Sequence, residues 1–479
     1  MPPRFPYFDS PTPPTSDLHL HGTFIDFPTP TSLRIRLDTE VTISPSGTMT
    51  SISPPGREFW AHHSIPFPPT NHSRIFLPGF IDTHLHAPQY PQLATKTDLP
   101  LMEWLETYTF PLEARFADPE FAEKVWERLV KRLLRNGTTG AVMFASKHVE
   151  ATKRLAGTCG RFGLRAAIGK VCSDRNVPEG YMETREESLR GTEEFVKWCK
   201  ETFKSAEGEE EGLVVPVVTP RFIPTCTPEL LRGLSAIAKK HSTRIQTHAA
   251  ESLDEILLVQ SLHPIHQRDI SLLTRHHLLT PRTILAHCCH LTDPEAKILG
   301  QLGTSIASCP TSNLLFAQAV LPVRRFQERF NVNIALGTDI AGGHSISMLS
   351  AIRQAGLVSR VHGFRMMSEH DRSVRIPEMH EEEQYDRLAR EGEVVDWVRA
   401  LYMATTGGAV AAGWEKVGVF EVGMRWDAVE VDLGWDEGEA GEKENVVAVE
   451  EEEEEENGRV DEVVEKLERW WSGMGGRRV

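Results

Sequence analysis

Residues 75–86 read IFLPGFIDTHLH, and the interpretation of the whole chain turns on this stretch. Its apolar part, FLPGFID, has the length of one buried strand. In a strand, side chains two positions apart point to the same side. His84 and His86 therefore leave the strand end together, and two imidazoles on one side can share a metal ion.

Working outward, the texture repeats. After FLPGFID come TTGAVMFA (138–145), GLRAAIGKVC (163–172), VVPVVTPRF (214–222) and TRIQTHAAE (243–251). TILAHCC (283–289), TSIASCP (304–310) and VNIALGTD (332–339) follow. Helix-capable segments near 120–136, 183–203 and 228–241 lie between them. Continuous apolar strands of this kind suit a parallel sheet buried on both faces. Eight of them predict an α/β fold, a (β/α)8 TIM-type barrel, which typically takes ~250 residues and more with insertions. A doubly wound open sheet is the competing layout, but no Gly-rich dinucleotide fingerprint follows the first strand.

Outside the barrel, residues 18–76 give short strand-like runs such as GTFIDF and LRIRL. Strand character returns in GVFEVGMRWDAVEVD at 418–432. The expectation is a small β-sandwich accessory domain built from both chain ends, 1–76 and 414–479, around a barrel at 77–413. The segment 434–457, in which Glu450–Glu456 are all glutamate, reads as a solvated acidic insertion.

That insertion also explains the charge. The chain has 479 residues and a formal net charge of −16. Between Asp432 and Glu465 lie 16 acidic and 2 basic residues, a net −14. The remainder is near neutral, so the acidity says little about a substrate, and it disfavours nucleic acid. Seven cysteines without CxxC pairs point to a reducing compartment. No signal-peptide core and no long apolar window appear, so a cytosolic protein without a membrane partner is expected.

Chemistry gathers at the strand ends. His84 and His86 close the first strand, His248 the fifth, His287 the sixth and Asp339 the eighth. Barrel enzymes carry their catalytic groups at these C-terminal ends. Imidazole and carboxylate with an open position suit Zn²⁺ activating a water, although imidazole also suits iron. Such a site needs a proton carrier. Glu251, three residues after His248, fits, with a carboxylate at a helix N-terminus as the plainer reading. Asp339 can ligate and also accept the water proton, and His287 can orient the attacked water. Other histidines fit less well. His19 and His21 lie in the accessory sheet and read as surface, as do His276 and His277. His148 and Glu150 lack the PCxxC that a cytidine-type deaminase needs. His290 either lines the site or packs.

LPGFIDTHLH, THAAE, LAH and LGTD together resemble the amidohydrolase superfamily. HAPQY (86–90), DLPLMEWLETYTFPLEARF (98–116), NGTTGAVMFAS (136–146) and GKVCSDRN (169–176) narrow the resemblance to the guanine deaminases within it. VTPRF (218–222), CPTSN (309–313) and LGTDIAGGHSISML (336–349) do the same. The likeness runs from about residue 22 to 428. It implies one zinc per chain on His84, His86, His248 and Asp339, and Glu251 as proton shuttle beside Asp339 and His287. It implies a purine pocket formed by His86, Ala87, Pro88, Gln89, Arg221, Phe222, His248, Glu251 and Asp339. The implied reaction is hydrolytic deamination of guanine to xanthine and ammonia, by a homodimer.

The residue chemistry is compatible with these roles. The Gln89 amide can read a lactam edge, Arg221 offers a donor fork, and Phe222 can wall in a flat base. Arg221 also has a structural reading, as an ion-pair partner. Hydantoinase-like relatives carry a bridging lysine near the end of the fourth strand. Here that strand ends VVTPRF, so one metal is expected. Ser308 stands where many relatives have histidine. A triazine or pterin aminohydrolase or chlorohydrolase is the alternative enzyme, and a non-catalytic scaffold the alternative outside enzymes.

Overall fold

A computed structural model describes residues 15–53, 74–204, 211–265, 268–370 and 394–432. The acidic stretch 434–457, the helix-like run 460–471 and most of the polar lead lie outside the described residues. The chain divides into two compact units, Phe80–Trp414 and the pair of segments Met1–Gly79 and Glu415–Val479.

Strands of the terminal unit are β1 (Leu18–Thr29), β2 (Ser32–Ile43), β3 (Met49–Ser53) and β4 (Arg74–Pro78). The opening stretch, expected as one strand, is parted at Gly79. RIFLP forms β4 and pairs parallel to β1, while FIDTHLH starts the barrel. Pro78 has no N–H with which to carry a ladder onward. The last strand, Ala428–Asp432, pairs antiparallel with β4, so both chain ends meet in one five-stranded sheet. Phe24 stacks on Phe76 at 4.9 Å and meets Phe420 edge-on, closing a small apolar cluster. His21, read as surface, is buried because β1 is an interior strand of this sheet, and His276 is buried while His277 is exposed.

The barrel unit contains β5 (Phe80–His86), β6 (Thr138–Phe144), β7 (Arg165–Gly169) and the short β8 (Val171–Cys172). It continues with β9 (Val214–Pro220), β10 (Arg244–Ala249), β11 (Thr283–His287), β12 (Ser305–Ser308) and β13 (Ile334–Leu336). Eight of these pair in parallel in the order β13-β12-β11-β10-β9-β7-β6-β5, and β8 also pairs with β9. Every residue of β5, β9, β10, β11, β12 and β13 is buried. These are the eight strands predicted from the apolar runs, and the fold is a TIM-type barrel.

Helices cover the outside, and their sequences show why they form. In Pro119–Arg135 the Asp118 side chain caps the Glu120 and Phe121 N–H groups, and proline fills the first turn. Such a cap contributes about 1 kcal/mol. Ala122, Val125, Trp126, Leu129, Val130 and Leu133 repeat at helical spacing and are buried. Among the described residues no helix is long and apolar enough to cross a membrane.

Closure of the barrel matters most for the site. The β13 end lies against β5: Thr83 Oγ1 donates to the Leu336 carbonyl at 2.8 Å, Asp339 N to His84 O at 2.9 Å, and His86 N to Ile340 O at 2.8 Å. Asp82, fully buried, accepts from His84 N at 3.2 Å, Thr338 N at 3.0 Å and Thr338 Oγ1 at 2.5 Å. Burial pushes its carboxyl up to about 7, against these hydrogen bonds.

Candidate active site

Closure brings the first and last strands' donors together. His84 Nε2 lies 3.2 Å and His86 Nε2 3.7 Å from Asp339 Oδ1. His248, from the end of β10, places its Nε2 3.0 Å from His86 Nε2. Four donor atoms thus converge from three strand ends, all buried. Zinc bonds of ~2.0–2.2 Å at tetrahedral angles would set donors ~3.3–3.6 Å apart. The observed spacings bracket that range.

The protonation pattern fits a cation as well. His248 Nδ1 lies 2.6 Å from the Arg221 carbonyl, so that nitrogen carries the proton and Nε2 keeps its lone pair. Burial lowers the basicity of His84, and of His86 and His248 strongly, which keeps these imidazoles neutral. Burial alone would raise the Asp339 carboxyl, yet its contact with His84 and the neighbouring imidazoles hold it well below the usual range. Neutral imidazoles and an ionised carboxylate are the states in which these groups ligate. The set therefore fits a metal ion held by His84, His86, His248 and Asp339.

Glu251 and His287 stand beside this set. His287 Nδ1 is 2.9 Å from Asn313 Oδ1, and Nε2 is 3.7 Å from Glu251 Oε2. Burial acts against the His287 cation, but the Glu251 and Asp339 carboxylates and the Asn313 bond raise its basicity. Burial raises the Glu251 carboxyl, partly countered by His287. Ala250, His287, Cys288 and Asp339 all have positive φ without being glycine. Such backbone costs of order 1–3 kcal/mol each and gathers where surrounding structure fixes an active site.

Above these groups is a cavity of about 450 Å³, counting its open mouth. His86, Gln89, Arg221, Phe222, His248, Glu251, His287 and Asp339 line it, as expected from the sequence. His84 lies deeper. Ala87 and Pro88, expected to touch substrate, are buried and do not line the cavity. They open the short helix Ala87–Gln92, Ala87 packing into the main core, so their effect is to aim Gln89.

Several lining residues were not foreseen. Leu101, Trp104, Leu105 and Phe316 supply apolar wall, and Ser312 a buried hydroxyl with no hydrogen-bond partner among the described residues. Arg221 is both of the things its sequence allowed. It lines the cavity, and it is ion-paired to the buried Glu113 through Nη1 at 2.8 Å and Nη2 at 3.3 Å. Burial opposes its charge, and Glu113 and Tyr181 more than restore it. Ser308, at the end of β12, accepts the Gly337 N–H through its carbonyl and does not line the cavity. His148 begins the helix Val149–Phe162, and His290 is half-buried away from the cavity lining.

Comparison with known proteins identifies the family. Residues 75–464 match the model of the amidohydrolase family. The guanine deaminase of Mus musculus is 37% identical over 426 residues, covering 87% of each chain. That of Homo sapiens is 40% identical over 362 residues, 75% of this chain and 73% of the relative. The crystal structure of guanine deaminase from C. acetobutylicum with bound guanine superposes with a TM-score of 0.77 at 28% identity, covering 97% of both chains. The chain belongs to the amidohydrolase family and, within it, to the guanine deaminases.

Proposed function

We propose that the cavity takes guanine and that the buried donor set holds a single zinc ion. The reaction is hydrolytic deamination: water adds at C2 of guanine, and xanthine and ammonia leave. Zinc, when bound, would polarise the attacking water and lower its pKa toward ~7. Asp339 accepts the proton of that water. Glu251, entering protonated, gives its proton to ring N3 as the new C–O bond forms. It takes up the proton that Asp339 accepted from the water and delivers it to the amino group. The C–N bond then breaks and ammonia departs, while the C2 hydroxyl returns its remaining proton to Glu251 by way of Asp339, so that C2 becomes a carbonyl carbon and both carboxyl groups regain their starting states. His287, fixed at Nδ1 by Asn313, orients the water and holds Glu251.

The observation that carries this reading is the placement of Glu251 and His287 beside the His84, His86, His248 and Asp339 donors, in one cavity with Gln89 and Arg221. Guanine bound in the active site of a solved relative supports the base. One zinc is supported by the candidate donor groups among the described residues, which share His84, and by arginine, not lysine, following β9. A cytosolic setting is supported by seven unpaired cysteines, six of them buried.

The test is direct. Zinc-loaded protein is incubated with guanine, adenine, cytosine and ammeline, and ammonia is followed. Release from guanine is the expected result. No release from guanine, with release from another base, overturns the substrate.

A further inference from the structure

One carboxylate holds two polar side chains of the cavity wall, Gln89 and Arg221. Glu113, on the helix Phe110–Ala114, is 2% exposed. Its Oε1 accepts from Gln89 Nε2 at 3.0 Å and from Arg221 Nη2 at 3.3 Å. Its Oε2 accepts from Arg221 Nη1 at 2.8 Å and from the Tyr181 hydroxyl. Tyr181 also accepts from Arg221 Nη1 at 3.3 Å, and Arg221 lies over the Phe110 ring at 5.1 Å. Glu113 and Tyr181 themselves are not among the residues lining the cavity.

The consequence for Gln89 follows from donor and acceptor counting. A carboxylate only accepts, so the group facing Glu113 is the Gln89 NH₂. The Ala341 N–H only donates, and it lies 3.2 Å from Gln89 Oε1. Both ends of the amide are thereby assigned, and a flip would set a donor against a donor and an acceptor against an acceptor. One N–H and one lone pair of Gln89 remain for a ligand. This is the complement of a lactam, whose carbonyl accepts and whose ring N–H donates. Arg221 is restricted in the same way. Its Nη1 is spent on Glu113 and Tyr181, which leaves one Nη2 hydrogen and Nε–H.

We infer that Glu113 is a positioning residue that sets the lactam preference of the cavity by fixing the donor–acceptor order of Gln89 and the free N–H groups of Arg221. This deepens the guanine reading and rests on it for the identity of the base. Glu113 acts on the bound base only through those two side chains. In a Glu113→Gln variant the new NH₂ opposes either the Gln89 NH₂ and Arg221 Nη2 or Arg221 Nη1, so one side of the wall loses its acceptor, and Arg221 loses its counter-charge.

Binding measures this separately from catalysis. Hypoxanthine carries the lactam but lacks the 2-amino group, and purine lacks the lactam as well. Calorimetric dissociation constants for both are taken with metal-loaded wild type and E113Q. The wild type is expected to prefer hypoxanthine, and E113Q to lose about 10- to 100-fold of that preference, the range for hydrogen bonds to charged groups. Purine binding should change less than about 3-fold, because the lost interactions face the lactam. Equal weakening of both ligands, or an unchanged preference, overturns the inference. Should E113Q fail to fold, Tyr181→Phe carries the test, since it removes one donor from Glu113 and leaves the ion pair. It should lower the preference by about 3-fold with purine unchanged, and equal loss on both ligands again overturns the inference. A wild type that releases no ammonia from guanine defeats the substrate reading, yet leaves the preference measurable. An active wild type whose E113Q variant keeps the preference defeats the role of Glu113 alone.

Discussion

At the metal end of the cavity, every donor sits on a barrel strand or within three residues of one; at the wall, Gln89 and Arg221 do so too, but the Glu113 and Tyr181 that hold them lie on a helix and in a turn far from any strand end. The metal end is held by backbone register. His84, His86 and Asp339 are placed by the hydrogen bonds that close β5 on β13, before any side chain chooses a partner. The wall is held by side chains, with one carboxylate at its centre. The two regions should therefore fail differently. Damage to the first should remove turnover, and damage to the second should remove affinity and selectivity.

The largest effect should come from emptying the metal end. Chelation, checked by metal analysis, should reduce ammonia release from guanine by on the order of 10³-fold or more, because a Lewis acid supplies several kcal/mol to such a barrier. Added zinc should restore it. Turnover that survives complete metal removal would break the comparison at its first term. Next is Glu251→Gln, which keeps the shape and the four donors but cannot carry the proton. Bound metal should stay at the wild-type level while kcat falls about 10²- to 10⁴-fold, the usual worth of positioned proton transfer. Full activity would remove Glu251 from its role.

On the other side, Gln89→Ala removes the amide without touching the donors. The expectation is a rise in KM for guanine of about 10-fold, with kcat changed less than about 3-fold and metal content unchanged. If kcat fell as strongly as kcat/KM while KM held, the wall would be acting in the transition state, and the separation of the two regions would not stand.

This difference also decides what could be read from the sequence. The eight apolar runs are strands because each has to be buried on both faces, and that requirement is written in composition. His84 and His86 were legible through the two-residue repeat, and Asp339 because it follows the last run. The extent of the first run was not legible: IFLP and FID look alike as apolar residues, but Gly79 parts them between two sheets. Glu113 and Tyr181 had no signal of their own. They are a glutamate in a helical segment and a tyrosine in a loop, and only tertiary packing brings them 108 and 40 positions along the chain to Arg221. Ala87 and Pro88 show the converse, since adjacency to His86 and Gln89 suggested contact, whereas a short helix buries both and packs Ala87 into the core.

The smallest expected effect tests the backbone half of the comparison. Asp82 carries no substrate and no metal, yet it ties His84 N and the Thr338 N–H and hydroxyl together at the point where the barrel closes. Asp82→Asn keeps an acceptor oxygen for the two N–H groups and offers an NH₂ to Thr338 Oγ1. Thermal unfolding should therefore shift by no more than about 1 kcal/mol of stability, and kcat/KM with zinc in excess should stay within about 3-fold. Asp82→Ala instead leaves two buried N–H groups without acceptors, each costing about 1–3 kcal/mol. It should lower the unfolding temperature clearly and weaken metal retention on dialysis, since His84 and Asp339 would no longer be drawn to one point. Were the alanine variant as stable and as metal-retentive as the asparagine one, the placement of these donors would have to come from the bound metal itself and not from barrel closure.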